Sequence, residues 1–151
     1  MIKLESPAFE NNKRIPSKFT CDGDNVNPSL SIKNVPKGTQ SLVLIVEDPD
    51  VPKHVRSDGM WNHWLLYNIP PDTKEIKEAA DPPGSLGKGT HGGSNYYGPC
   101  PPDREHRYFF KLFALGKRLE LTGWPEKEEI ELAMEGHVIE KCELIGLYER
   151  I

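Results

Sequence analysis

The chain has 151 residues, with 19 basic and 23 acidic side chains for a formal net charge of −4. That length suits one domain, taken as residues 1–151, and the mixed charge leaves no basic stripe of the kind nucleic-acid binding needs. No stretch is long or apolar enough to span a bilayer, and the opening MIKLESPAFENNKR lacks the apolar run of a secretion signal, so a cytoplasmic protein without stable membrane insertion is expected. Cys21, Cys100 and Cys142 are odd in number, widely spaced and without a C-x-x-C pair. They are expected to be reduced and buried rather than to form a disulfide framework or a zinc site. Fourteen prolines and thirteen glycines, spread along the chain, punctuate it into short segments and predict an all-β domain rich in turns.

In chain order, Ile2 to Leu4 reads as a short edge strand followed by a polar loop through Pro16. Thr20 to Leu30 carries the turn dipeptides Asp22-Gly23 and Asn27-Pro28 and predicts irregular structure. Leu42 to Val46, LVLIV, is a continuous apolar run of strand length, consistent with a central strand covered on both faces. It ends in EDPDVP, where two prolines stop the ladder and expose carboxylates. The next strand, Trp61 to Ile69, is expected to place Trp61, His63, Leu65 and Tyr67 on one face and Asn62, Trp64, Leu66 and Asn68 on the other. Residues 72–97 read as one long loop, of a length that is functional or mobile in a compact domain.

Gly98 to Tyr108, GPCPPDREHRY, combines a stiff proline-rich loop with the start of a strand, HRYFFKLFAL. Alternation puts His106 and Tyr108 on one face with Phe110 and Leu112, and Arg107, Phe109 and Lys111 on the other. A titratable ring and a phenol at a strand mouth, under a rigid loop, look like one wall of a small-molecule pocket. Arg118 to Leu121 reads as a further short strand. Pro125 suits the first position of a helix with Glu126, Glu128 and Glu129 in its first turn and Ile130 and Met134 as its buried stripe. Gly136 either caps that helix or is carried through; the expected end lies near Glu140, with Glu143 to Glu149 as the last strand.

DPDVP at the end of a buried strand, WNHW opening the next, and GPCPP running into HRY together resemble the phosphatidylethanolamine-binding protein family, which includes the Raf kinase inhibitor proteins. The resemblance covers nearly the whole chain, from SPAF and TCDGDN to AMEGHVIEKCELIGLYER, and is nearest to the bacterial and archaeal branch. It implies an antiparallel β-sandwich with one or two short flanking helices and a small anion pocket. Carried over by position, that pocket contains Asp48, Trp61, His63, Gly98, Pro99, His106 and Tyr108. A pocket tyrosine that animal members carry just before the tryptophan has no counterpart among Asp58, Gly59 and Met60, and Tyr96 is the candidate to replace it. The sequence ends at Ile151, before the C-terminal helix that flanks the pocket in animal members, so gating by that helix is not expected.

The expected function is therefore binding of a phosphorylated or other anionic small molecule, without catalysis and without a cofactor. In this reading His63 and His106 hold the phosphate, Tyr108 donates a hydrogen bond, and Asp48 orients a histidine or meets an amine. Prolines hold the Gly98 backbone open beside His106. A second reading makes the chain an inhibitor of a serine protease or kinase acting through surface loops. A third makes Asp48, His63 and His106 the ligands of a metal-dependent hydrolase, although no H-E-x-x-H spacing supports it. Ser94 lacks a nucleophile elbow. Judged singly, His63 reads as a core histidine, His54, His91 and His137 as solvated, and Cys100 as a space-filler. A homodimer and a monomer are both compatible with the sequence.

Overall fold

Short apolar runs cut by proline and glycine pair here across long sequence separations into two sheets, seen in a computed structural model that describes residues 1–150. Ile151, the last residue of the expected domain, lies outside them. In chain order the elements are β1 (Lys3–Glu5), β2 (Lys13–Arg14), a 3-10 turn (Ser17–Phe19), β3 (Leu30–Lys33), β4 (Ser41–Asp48), β5 (Trp61–Ile69), β6 (Glu75–Ile76), β7 (Ser85–Leu86), β8 (His106–Leu115), α1 (Lys127–Met134) and β9 (Val138–Tyr148).

One sheet has the order β1-β3-β6 and the other β2-β9-β8-β4-β5-β7. All pairs are antiparallel except β2 with β9. The sheets face each other across a core in which Leu4, Leu30, Ile32 and Ile76 meet Leu42, Leu44, Val46, Phe110 and Leu112. The far side of the larger sheet is covered by α1, whose Ile130 and Met134 pack on Val43, Ile45, Leu65 and Tyr67. This is the expected β-sandwich with one helix, and β4 is the central strand buried on both faces because each sheet face has its own cover.

Several element boundaries differ from the sequence expectation for identifiable reasons. Residues 72–97 are not one open loop, because β6 and β7 each add two residues to the edge of a different sheet. Arg118 to Leu121 is not a strand. The Leu119 backbone is satisfied instead by the Asn68 side chain, which donates to its carbonyl at 2.9 Å and accepts its N–H at 2.8 Å. The helix stops at Met134 rather than near Glu140, because Gly136 takes φ +78°, the left-handed cap that a glycine supplies at least cost. Val138 to Glu140 then joins β9, which pairs with β8 along almost its whole length.

Cys21 and Cys100 are joined by a disulfide, with Cα atoms 5.5 Å apart across 79 residues of sequence, contrary to the expectation of three reduced cysteines. Cys142 remains free, and burial raises its thiol pKa to about 11. An odd count and wide spacing argue against a local framework of bridges, but they carry no information on one pairing made by tertiary structure.

Candidate functional site

Because β8, β4 and β5 run antiparallel as neighbours, the end of β4 meets the beginnings of β5 and β8 at one rim of the larger sheet. This brings Asp48 between Trp61 and His63 on one side and His106 and Tyr108 on the other. These five side chains line a cavity of about 200 Å³, together with Tyr97, Val51, Val55 and the Cys100-Pro101-Pro102 wall.

The position of His63 depends on a β-bulge. Val46 pairs with Trp64 but Glu47 with Asn62, so β5 has one residue more than β4 at this point, and that residue is His63. The expected alternation is thereby broken. Trp61, paired with Asp48, lies on the sheet face of Trp64 rather than on that of Leu65 and Tyr67, which pack under α1. The His63 ring then stands edge-on to Tyr108, with centroids 5.3 Å apart.

Asp48 is 3% exposed, so the carboxylate expected at an open strand end is in fact buried. Its Oδ1 accepts the Asp50 N–H at 2.7 Å and its Oδ2 lies 2.6 Å from His106 Nδ1. Burial is the main influence on the Asp48 carboxyl and raises its pKa against the opposing His106 hydrogen bond. Asp50 anchors the start of β8 by accepting from the Arg107 backbone N–H, Nε and guanidinium at 2.8–2.9 Å. The other ring nitrogen of His106, Nε2, lies 2.6 Å from Asp103 Oδ1. The ring itself is fully buried, so both of its polar atoms are engaged by carboxylates.

His63 has a different environment. Its Nδ1 donates to the Tyr97 carbonyl at 2.5 Å, and burial, only partly opposed by that carbonyl, lowers its pKa to about 4. At neutral pH the ring is uncharged, and its Nε2 bears a lone pair. Among the described residues that atom has no hydrogen-bond partner, and neither do Trp61 Nε1 and Tyr108 Oη. Burial, reinforced by the Asp48 carboxylate, raises the Tyr108 pKa, so the phenol keeps its proton. Asp48, His63 and His106 converge on the cavity, yet among the described residues no three His, Cys, Asp or Glu side chains are placed to hold a metal ion.

Three of the expected site residues sit elsewhere. Tyr96 does not line the cavity: its hydroxyl donates to the Phe19 carbonyl at 2.7 Å and its ring packs edge-on against Trp64 in the core. Its neighbour Tyr97 lines the cavity instead, stacked between His63 and His91 with centroids 6.2 and 5.0 Å away. In a Tyr-Tyr pair alternation leaves open which ring faces in. His91 is accordingly half-buried against Tyr97 rather than solvated.

Gly98 and Pro99 do not open toward the cavity either. The Gly98 N–H donates to Asn25 Oδ1 at 2.8 Å, and the Pro99 carbonyl accepts the Cys21 N–H at 3.1 Å. The reason for glycine at 98 is close packing. A Cβ there would lie within contact distance of the Phe19 carbonyl oxygen and 2.6 Å from Asn25 Oδ1. Gly98→Ala is therefore expected to destabilise the chain by about 2 kcal/mol, as overpacking against backbone does. Urea denaturation checks this, and an unchanged midpoint would mean that the two loops are free to separate.

The chain matches the family model described as "Phosphatidylethanolamine-binding protein" over residues 5–149. The chain belongs to the phosphatidylethanolamine-binding protein family. A UPF0098 protein of Chlamydia pneumoniae is 47% identical over 149 residues, covering 99% of each chain. Another, of Methanothermobacter thermautotrophicus, is 45% identical with the same coverage. Among solved structures, the phosphatidylethanolamine-binding protein homologue of Chlamydia trachomatis superposes with a TM-score of 0.97 at 44% identity, covering 99% of this chain and 98% of that one. Escherichia coli YbcL, described as a member of the mammalian family, gives a TM-score of 0.88 at 26% identity over 99% of each chain. Membership supports a ligand-binding protein of the phosphatidylethanolamine-binding kind. No helix among the described residues is long and apolar enough to cross a membrane.

Proposed function

We propose that the rim cavity binds the head group of a small phosphorylated ligand, phosphoethanolamine being the simplest example, and that the chain acts as a binding protein rather than an enzyme. The observation that carries this reading is the presence of three buried polar atoms without partners among the described residues, Trp61 Nε1, His63 Nε2 and Tyr108 Oη, all on residues that line one cavity. Buried polar atoms are normally satisfied, so three around one space favour a ligand that satisfies them. Trp61 and Tyr108 offer donors to anionic oxygens. His63 offers a lone pair, the reverse of the phosphate-holding role expected for it, and so suits an ammonium group or a phosphate O–H. A zwitterionic head group has both kinds of partner. The name of the matching family points to the same chemistry.

Size supports a head group over a whole lipid. The cavity, about 200 Å³, is smaller than the roughly 300–1,000 Å³ of pockets for drug-sized ligands, so acyl chains would remain outside. Both oxygens of Asp48 are engaged, which favours its role in positioning His106 over a direct contact with an amine.

Calorimetric titration with phosphoethanolamine, inorganic phosphate and ethanolamine tests the proposal. Phosphoethanolamine should bind saturably and more tightly than either fragment. Tyr108→Phe should weaken it about ten- to a hundredfold, the loss expected for a hydrogen bond to a charged group of roughly 1.5–3 kcal/mol. Absence of saturable heat from all three, or a Tyr108→Phe variant that binds as the parent does, would remove the reading.

A further inference from the structure

Asp103 meets His106 but has no part in the proposed function, and its location restricts what His106 can do. His106 has two polar atoms. Nδ1 is committed to Asp48 inside the fold, so only Nε2 can serve a ligand in the cavity. That atom already meets Asp103 Oδ1 at 2.6 Å. Donating at both nitrogens requires the ring to carry two protons, and it then presents to Asp103 the charged donor that a phosphate oxygen would seek.

The two carboxylates differ in how firmly they are held. Asp48 is buried at 3% exposure and is fixed by a backbone N–H as well as by the ring. The Asp103 side chain is 40% exposed, on the exposed 102–105 segment between Pro101 and β8, and its other oxygen lies 3.7 Å from Arg104 Nε. A carboxylate in such a place can swing into solvent at little cost, whereas Asp48 cannot leave without abandoning a buried ring.

We propose that Asp103 is a gate and selectivity residue, its carboxylate standing in for the ligand's anionic oxygen on His106 Nε2, and that an anion engages His106 by displacing it. The inference rests on the anion-binding reading above and adds its regulation. His106 Nε2 is occupied by Asp103 in the absence of ligand, so the apparent affinity for an anion is lowered by the fraction of molecules with the gate closed. Selectivity follows from the same competition, because a ligand without an anionic oxygen has nothing to exchange for the carboxylate.

Inorganic phosphate is the probe, titrated at pH 7 into the parent chain and into Asp103→Ala, Asp103→Asn and Glu105→Gln variants. Asp103→Ala should bind about tenfold more tightly, the order of one lost charge-assisted contact of roughly 1.4 kcal/mol. Asp103→Asn keeps an acceptor but no charge and should fall between that variant and the parent. Glu105→Gln removes a charge from the same exposed segment, at a side chain that is not one of the two ring partners of His106, and should change affinity less than about twofold, as expected for a screened surface charge. Equal gains from Asp103→Ala and Glu105→Gln would reduce the effect to general repulsion and overturn the gate. So would a parent chain that binds phosphate as tightly as Asp103→Ala, and in that case the anion pocket stands.

Nitrogen-15 spectra of the histidine rings, recorded without ligand, give a readout independent of binding. Loss of Asp103 should move the His106 Nε2 resonance and leave the His63 resonances in place. If Nε2 does not respond, the contact and the gate fail together. If it responds and no variant binds phosphate, the anion reading fails and the gate with it.

Discussion

A Cys21→Ser/Cys100→Ser double variant is expected to melt about 10 °C below the parent chain, the largest stability effect of any change at the site. The bridge closes a loop of 79 residues, and the chain-entropy estimate for a loop of that size is roughly 4.5 kcal/mol. The native contacts around it are already dense. The Cys21 N–H reaches the Pro99 carbonyl at 3.1 Å, Gly98 donates to Asn25 at 2.8 Å, and the Tyr96 hydroxyl donates to Phe19 at 2.7 Å. The bridge therefore acts mainly by restricting the unfolded chain rather than by supplying a missing native contact. Thermal melts with and without a dithiol reductant, alongside the double variant, measure it. Cys142 is a poor exchange partner, because burial raises its thiol pKa to about 11 and leaves little thiolate. A double variant that melts within a degree or two of the parent would show the covalent link to be energetically idle.

Acid should destabilise the chain between pH 6.5 and 4 through His63 in particular, by up to about 3 kcal/mol. The folded-state pKa of this ring is about 4, well below that of a histidine in the unfolded chain. A group depressed in this way contributes stability above its unfolded pKa, and that contribution is lost as pH falls toward the folded value. The physical event is protonation of a ring that is 4% exposed and already donates its one N–H to Tyr97. Asp48 acts in the opposite sense, since burial raises its pKa and its contribution is lost as pH rises. A comparison with His63→Gln separates the two. The difference in unfolding free energy between pH 7 and pH 4, from urea titrations, should be smaller in the variant by about 3 kcal/mol. Parallel pH profiles for parent and variant would show that His63 is protonated in the native state at little cost.

Both predictions concern features at one rim of the sheet, and they explain why a cavity there keeps its shape. The disulfide and its neighbouring hydrogen bonds hold the proline-rich wall, the bulge in β5 holds His63, and Asp48 holds His106. What moves in the proposed gate is Asp103, a residue on the exposed segment between those fixed parts.

The residues by themselves determined much of this. LVLIV, an uninterrupted apolar run of strand length, reads as a strand covered on both faces, and EDPDVP ends it, because proline removes the ladder donor. WNHWLLYNI and HRYFFKLFAL read as strands to the residue, and the three motifs at their mouths pointed to the family and to Asp48, Trp61, His63, His106 and Tyr108. What tertiary structure alone decided is which faces and partners those residues take. The bulge at His63 depends on the register between β4 and β5, and no alternation within one strand encodes it. Tyr97 rather than Tyr96 enters the site because the loop is pulled inward by Phe19 and Trp64, which are distant in sequence. The Cys21–Cys100 bridge and the Gly98 packing arise where two loops 79 residues apart in sequence meet. Local chemistry limits what each segment can be, and long-range contact selects which of its atoms remain for a ligand.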